Sequence, residues 1–571
     1  MIKKIFILMV CVVFAFVANA QLMKEKQVFT KSDTLRGSNN DNRDWWDVQH
    51  YDITVKPDYA TKTIEGSCTI KFKVLKEGKT MQIDLQDSLV IDLISISTVG
   101  NKNRSKNIYN DVTYYKAIKK DGVDYVNVSS LKINSIQILN IKYHGKPREA
   151  VNPPWDGGWI WTKDSLGNPW MSVACQGLGA SSWFPCKDLQ SDEPDSGAIL
   201  TIIAPDSLNV IGNGRLIKIY KPPFPDSHAP PPNHTEWEVK NPINTYDIIP
   251  YIGKYSNFND TLGGEGGKLD LSYWVLTYNL DKAKKQFTQV KPMLHCFEYW
   301  FGKYPFYEDS YKLVEAPYLG MENQSDIAYG NGYQNGYKGR DLSRSGWGLK
   351  WDFIIVHESA HEWWGNSITS KDIADMWIHE SFANYAETLY TEWLFGKEAG
   401  EDYCVGTRKN IRNNIPIIGP YGVNKEGSGD MYYKGGNMIN NIRHIINDDK
   451  LFRKILRGLN TAFYHQTVTT QHIESYISKQ AGIDFQKVFD QYLRTIQIPK
   501  LVYSIDTKAM LLSAHWTNCV EGFNMPITIP ISSKRLNITT ELQSIPLTQE
   551  EIDWFNNKNL LREYYLEVSR Q

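Results

Sequence analysis

Seven cysteines in 571 residues, none in a Cys-x-x-Cys pair, are too few for a disulfide framework and the wrong pattern for cysteine-held zinc. Excess charge is missing too. With 63 Lys and Arg against 64 Asp and Glu, the net of −1 leaves no basic surplus to hold nucleic acid or an anionic membrane. Past residue 17 no apolar run approaches the roughly twenty residues that span a bilayer, and no internal repeat is visible. Gly263–Gly267 is glycine-rich but lacks the Gly-Lys-Ser/Thr of a phosphate loop, and reads as a hairpin connection. The remaining composition, 42% hydrophobic and 22% charged, excludes disorder of the whole chain.

At roughly 150 residues per domain, the length predicts three or four domains. Residues 1–20 carry Lys3 and Lys4, an apolar stretch from Ile5 to Val17, and Ala18-Asn19-Ala20 before Gln21. That pattern predicts a secretory signal peptide and an exported protein, periplasmic or extracellular. Cys11 falls within this segment; Cys175 and Cys186 are either bridged or two buried thiols. Residues 21–44 are polar and aperiodic, the mark of a flexible lead-in. Period-two patterns at Tyr51–Val55, Cys68–Val74, Met81–Leu85 and Leu89–Ile96 predict an all-β domain over 45–277. Within it Lys221–Asn233, with six prolines, reads as a surface loop. Helical periodicity takes over from about Leu280 and lasts to Ile498, with Asp484 placed to cap the last helix and Pro499 to end it. Strand patterns then return in a small β-module over 499–571. The chain is a multidomain α+β protein.

The chemistry concentrates around His357-Glu358-Ser359-Ala360-His361. Residues four apart on a helix lie about 40° from each other around its axis, so both imidazoles project from one face and can share a zinc ion. Glu358, one position on, is angled to hold a water instead of the metal. A catalytic zinc takes a third protein ligand and keeps a fourth position open. Glu380, nineteen residues after His361, lies in Trp377–Glu387, an apolar-periodic segment that predicts a second helix. A turn over Gly365–Asp375 folds that helix back beside the first, completing two histidines and one carboxylate. His379 points about 100° away from Glu380 and is no ligand in this reading. Glu387, two turns beyond Glu380 on the same face, is either a partner for a ligand histidine or a solvated or core carboxylate.

The combination of His357-Glu358-x-x-His361, eighteen intervening residues and Glu380 resembles the gluzincin aminopeptidases of the aminopeptidase N family. The longer run to Asn366, with Trp363 and Gly365, resembles that family as well. Around the third ligand the family's usual Asn-Glu-Gly-Phe-Ala is here His379-Glu380-Ser381-Phe382-Ala383. Tyr318-Leu319-Gly320-Met321-Glu322-Asn323 resembles the family's Gly-x-Met-Glu-Asn motif, with Leu319 where the first Gly is usual. The resemblance implies that Glu322 binds a free substrate amine while Gly320 and Met321 run beside the peptide as an edge strand. It also implies that Gln176, nine residues before Pro185, lines the same amine site, and that Tyr432 of Tyr432-Tyr433-Lys434-Gly435 is the oxyanion donor, with Tyr433 as the alternative.

Covering about residues 45 to 530, the resemblance implies an N-terminal β-rich saddle domain, a thermolysin-like, mainly helical catalytic domain over 278–498, and a small C-terminal β-sandwich-like module. It implies one Zn²⁺ per chain and an aminopeptidase reaction on peptides with a free N-terminus. A metal-activated water would attack the first carbonyl, with Glu358 taking its proton and passing it to the leaving amine. The family's large helical C-terminal domain has no room in the remaining residues, which implies a cleft more open than in four-domain relatives. Other readings are a zinc endopeptidase, which Glu322 and Gln176 oppose, a peptide-capturing protein without catalysis, and an epoxide hydrolase like one branch of the family.

Overall fold

The computed structural model describes residues 28–99, 109–221, 232–557 and 559–571. The expected signal peptide and most of the proline-rich loop lie outside them. The N-terminal domain is built on an eight-stranded sheet of β1 (Trp46–Asp58), β2 (Thr63–Val74), β3 (Leu89–Val99), β4 (Tyr109–Tyr115), β5 (Ile136–Gly145), β6 (Ala198–Ala204), β7 (Arg215–Tyr220) and β8 (Asn233–Val239), in the order β7-β8-β6-β1-β2-β5-β3-β4. Strand β1 buries Tyr51, Ile53 and Val55 on one side, as the alternation predicts, and a register shift between Val48 and His50 brings Trp46 and Val48 into the same core. A second sheet holds Asn209–Ile211, Tyr251–Gly253, Pro169–Ala174 and Gly158–Lys163, in that spatial order. Gln176 follows directly on its third strand. Cys175 and Cys186 are both free, buried thiols.

The lead-in is not loose where the structure describes it. Helix α1 (Lys31–Gly37) starts on a reciprocal capping box between Thr30 and Asp33. Arg43, fully buried, pairs with the equally buried Asp84 and donates to the carbonyls of Arg36 and Ser38. The Asp33 carbonyl accepts from Asn424 N at 3.0 Å, so this segment touches both large domains. Gly37 packs so closely on Val423 and Asn424 that an added Cβ would lie 2.2 Å from backbone.

The expected boundary at 277 also shifts. β9 (Tyr255–Gly264) and β10 (Gly267–Leu276) form a hairpin that closes at Gly264 and Gly267. β10 then pairs in parallel with β11 (Tyr311–Glu315), which pairs in parallel with β13 (Ile327–Tyr329); β12 (Gly320–Met321) pairs antiparallel with β13. Residues 255–276 therefore belong to the catalytic domain's five-stranded sheet, because their hydrogen-bonding partner lies downstream, and Leu262, Leu269, Leu271, Tyr273 and Val275 enter its core. Helix α2 (Phe353–Ala360) packs against this sheet, α3 (Trp377–Phe395) packs against α2, and α4 (Tyr433–Ile446) packs against α3. The C-terminal module carries a four-stranded sheet of β14 (Lys500–Asp506), β15 (Leu511–Thr517), β16 (Gln543–Pro546) and β17 (Glu567–Arg570), ordered β16-β15-β14-β17. Leu501, Leu512 and Trp516 from this sheet continue the catalytic core.

Removing one partner of a buried ion pair strands the other. Arg43→Met should destabilise the β-domain by about 3–5 kcal/mol, and adding Asp84→Asn should recover much of that loss. Denaturant unfolding of both single variants and the double variant checks this; purely additive losses would contradict it.

Candidate active site

Helix α2 begins at Asp352, whose side chain accepts from the amides of Ile354 and Ile355. It presents His357 from its second turn and ends at His361, its C-cap. The chain then turns at Gly365, where φ is +134° and an added Cβ would press on the rings of His379 and His361 at 3.2 and 3.4 Å, so glycine is required. This turn returns the chain to α3, which carries Glu380 back to the two histidines.

His361 Nδ1 lies 2.9 Å from the carbonyl of Trp364, and His357 Nδ1 lies 2.8 Å from Glu387 Oε1. Both partners only accept, so each Nδ1 carries the proton and each Nε2 keeps its lone pair. The two Nε2 atoms stand 3.4 Å apart, and each is 3.5 Å from Glu380 Oε2, which is buried with no hydrogen-bond partner. Three electron pairs converging in a buried pocket repel one another unless a cation lies between them. Two imidazoles and a carboxylate are the donor set that suits zinc, so these residues fit that ion. The surrounding carboxylates favour a positive charge at this point, a cation or a proton. Burial opposes a charge on His357, yet Glu380 and Glu387 push its pKa well upward; burial likewise opposes ionised Glu380, yet His361 and His357 hold it low.

Glu387 is thus the partner of a ligand histidine, itself held by Tyr403 Oη at 2.6 Å and by the Asn384 amide at 3.2 Å. His379 faces away, its Nε2 accepting from Ser370 N at 2.8 Å, and burial with His361 nearby drops it to about 3, so it stays neutral.

Glu358 lies against β12, and a side chain at Gly320 would meet its Oε1 at 2.7 Å. Burial, with Glu322, Glu380 and Glu387 close by, pushes its carboxyl up to about 8 against the pull of His357. Ligand atoms of Glu322, Glu358 and His361 all fall within 4.8 Å of one another. Glu322 follows β12, whose second edge bears no strand among the described residues. Its Oε1 accepts from the Gln176 amide and, at 3.1 Å, from Tyr246 Oη, both β-domain residues. Its carbonyl accepts from Asn366 Nδ2 at 2.7 Å, which ties the edge strand to the turn after the second histidine. Leu319 is buried in the catalytic core and Met321 in the β-domain core.

Tyr432 precedes α4, its ring stacked near His357 at 5.9 Å between centroids. Burial and the carboxylates of Glu380, Glu322 and Glu426 raise its phenol far above the ordinary value and keep it a donor. Tyr433 instead neighbours Glu387 and Tyr337. His357, His361, Glu380, Glu358, Tyr432, Glu322, Gln176 and Gly320 therefore meet at one cleft between two domains. Sequence reasoning missed Tyr246, one of 33 tyrosines with no local pattern to mark it.

A family model described as "Peptidase family M1 domain" matches residues 278–492, and one described as "Peptidase M1 N-terminal domain" matches 47–246. "Probable aminopeptidase 2" of Sulfurisphaera tokodaii is 21% identical over 481 residues, covering 80% of this chain and 56% of the relative. "Aminopeptidase N" of Canis lupus familiaris is 22% identical over 507 residues, covering 81% of this chain and 49% of its own length. The chain thus spans about half the length of these curated relatives. Among solved structures, an M1 zinc metallopeptidase from Deinococcus radiodurans superposes with a TM-score of 0.63 at 18% identity, covering 78% of this chain and 93% of that one. A variant of the Deinococcus enzyme bound to a Tyr-Ser-Ala substrate gives 0.62 at 17% identity, covering 79% and 95%. These likenesses carry the fold.

Glu387→Gln should weaken zinc binding by about 10- to 100-fold without unfolding the chain, since the ligand imidazole loses its charged partner. Competition against a fluorescent chelator measures this, and an unchanged affinity would contradict it.

Proposed function

Because the chain belongs to peptidase family M1, we propose that it is a zinc aminopeptidase, releasing single residues from the free N-terminus of peptides. The observation that carries this reading is Glu322: a buried carboxylate, converging with Glu358 and His361 within 4.8 Å, at the end of a strand with a free edge. Burial and the nearby Glu380 push its carboxyl above the ordinary range, so its ionised form calls for a cation, and a peptide's α-ammonium, one residue from its first carbonyl, supplies it.

His357, His361 and Glu380 would hold the zinc. When bound, the ion supplies Lewis acidity, polarising the carbonyl and lowering the pKa of water. Glu358 accepts a proton from the attacking water and delivers it to the departing amine. Tyr432 donates to the carbonyl oxygen as negative charge develops there. The free edge of β12 offers backbone partners to the extended peptide, and Glu322 with Gln176 fixes where its N-terminus stops. An endopeptidase would have to leave Glu322 buried against uncharged backbone. The leader-like residues 1–20 support export to the periplasm or beyond.

Acetylating the substrate amine should cut kcat/KM by roughly 10²–10³, the equivalent of about 3–4 kcal/mol for stranding a buried charge. Glu358→Gln should lower kcat by about 10²–10⁴ and Tyr432→Phe by about 10²–10³. Fluorogenic aminoacyl and N-acetyl-aminoacyl substrates check all three; equal cleavage of the two forms would remove the exopeptidase reading.

A further inference from the structure

Glu322 sits on the catalytic domain, but its carboxylate is gripped from the β-domain, and the two donors that grip it differ in how firmly they are held. Gln176 lies half-buried on a loop after the strand Pro169–Ala174, and its amide can turn to offer either N–H or C=O. Tyr246 is 7% exposed, in a single 3₁₀ turn (Thr245–Asp247) anchored on every side. Its own carbonyl accepts from Cys175 Sγ at 3.4 Å. Asn244 Nδ2 donates to Thr369 Oγ1 at 3.1 Å, just beyond the turn that follows the second histidine.

The same turn is also locked to the segment that follows Glu322. Asn213 Nδ2 donates to the carbonyls of both Asp247 and Gln324 at 2.8 Å, so one side chain sets the spacing between the Tyr246 turn and the chain two residues past Glu322. Gly214 N donates to Ser325 Oγ at 2.9 Å and repeats that link one residue further along. The phenol therefore cannot back away from Glu322 without breaking the domain interface. An ammonium arriving at Glu322 brings its own donors and competes for the oxygen that Gln176 and Tyr246 share; the donor free to turn is the amide.

We propose that Tyr246 is the fixed positioning residue of the amine site: its hydroxyl holds Glu322 Oε1 so that the carboxylate meets an incoming α-ammonium in one orientation, while the Gln176 amide reorients around the amine. This rests on the aminopeptidase reading and deepens it, by making recognition of the free N-terminus a property of the domain interface.

The test uses the zinc-loaded full chain, wild type and Tyr246→Phe, a substitution that keeps the ring and removes one oxygen. A hydrogen bond to a charged group is worth a factor of about 10 to 100. Tyr246→Phe should raise KM for a free-amine substrate by about ten-fold or more with kcat nearly unchanged, narrow the preference for free over acetylated substrate by the same factor, and leave inhibition by an amine-free hydroxamate as it was. An unchanged KM, or an equal weakening of the hydroxamate, would overturn the proposal. If the wild-type enzyme shows no preference for the free amine, the aminopeptidase reading fails on its own. If that preference is present and survives in the variant, the role of Tyr246 alone fails.

Discussion

Everything in the catalytic domain serves one electrostatic constraint: the lone pairs of His357 and His361 and an oxygen of Glu380 are held 3.4–3.5 Å apart, pointing at each other. Left alone they repel, so the fold must supply the holding force. Part of it is local, since the Trp364 carbonyl fixes the tautomer of His361. Part is tertiary, since Glu387, braced by Tyr403 and Asn384, reaches back from α3 to His357. The glycine at 365 allows a turn tight enough to bring α3 against α2 without a side chain striking the imidazoles.

Placement of the metal ligands does not decide which bond is cut. In the proposed reading that choice falls to the seam between the β-domain and the catalytic sheet, where β12 runs as an edge strand and Glu322 is grasped by Gln176 and Tyr246. Asn366 joins the two parts, standing five residues past His361 and donating to the carbonyl of Glu322. In the proposed reaction, hydrolysis and amine recognition would both be tied to this one turn, which would keep the distance from ammonium to carbonyl constant.

How far the sequence could be read follows from how local each feature is. The two histidines were legible from helical spacing alone, and Glu380 from a second helical pattern and its eighteen-residue separation from His361. Glu322 was legible only through its neighbours Gly320, Met321 and Asn323, since a lone carboxylate carries no signal. Tyr246 was not, because its contact with Glu322 joins residues 76 apart on different domains. The hairpin of residues 255–276 looked like any other β-domain hairpin until its pairing with β11 gave it to the catalytic sheet. The polar lead-in hid Arg43, whose partner Asp84 lies 41 residues on.

The most direct test of the account is a time course of a synthetic decapeptide with the zinc-loaded enzyme, followed by mass spectrometry. Convergence of Glu322 on the ligand group allows only the first peptide bond to reach the site, so the expected products are a ladder of peptides shortened one residue at a time from the N-terminus. Internal fragments appearing before that ladder would contradict it.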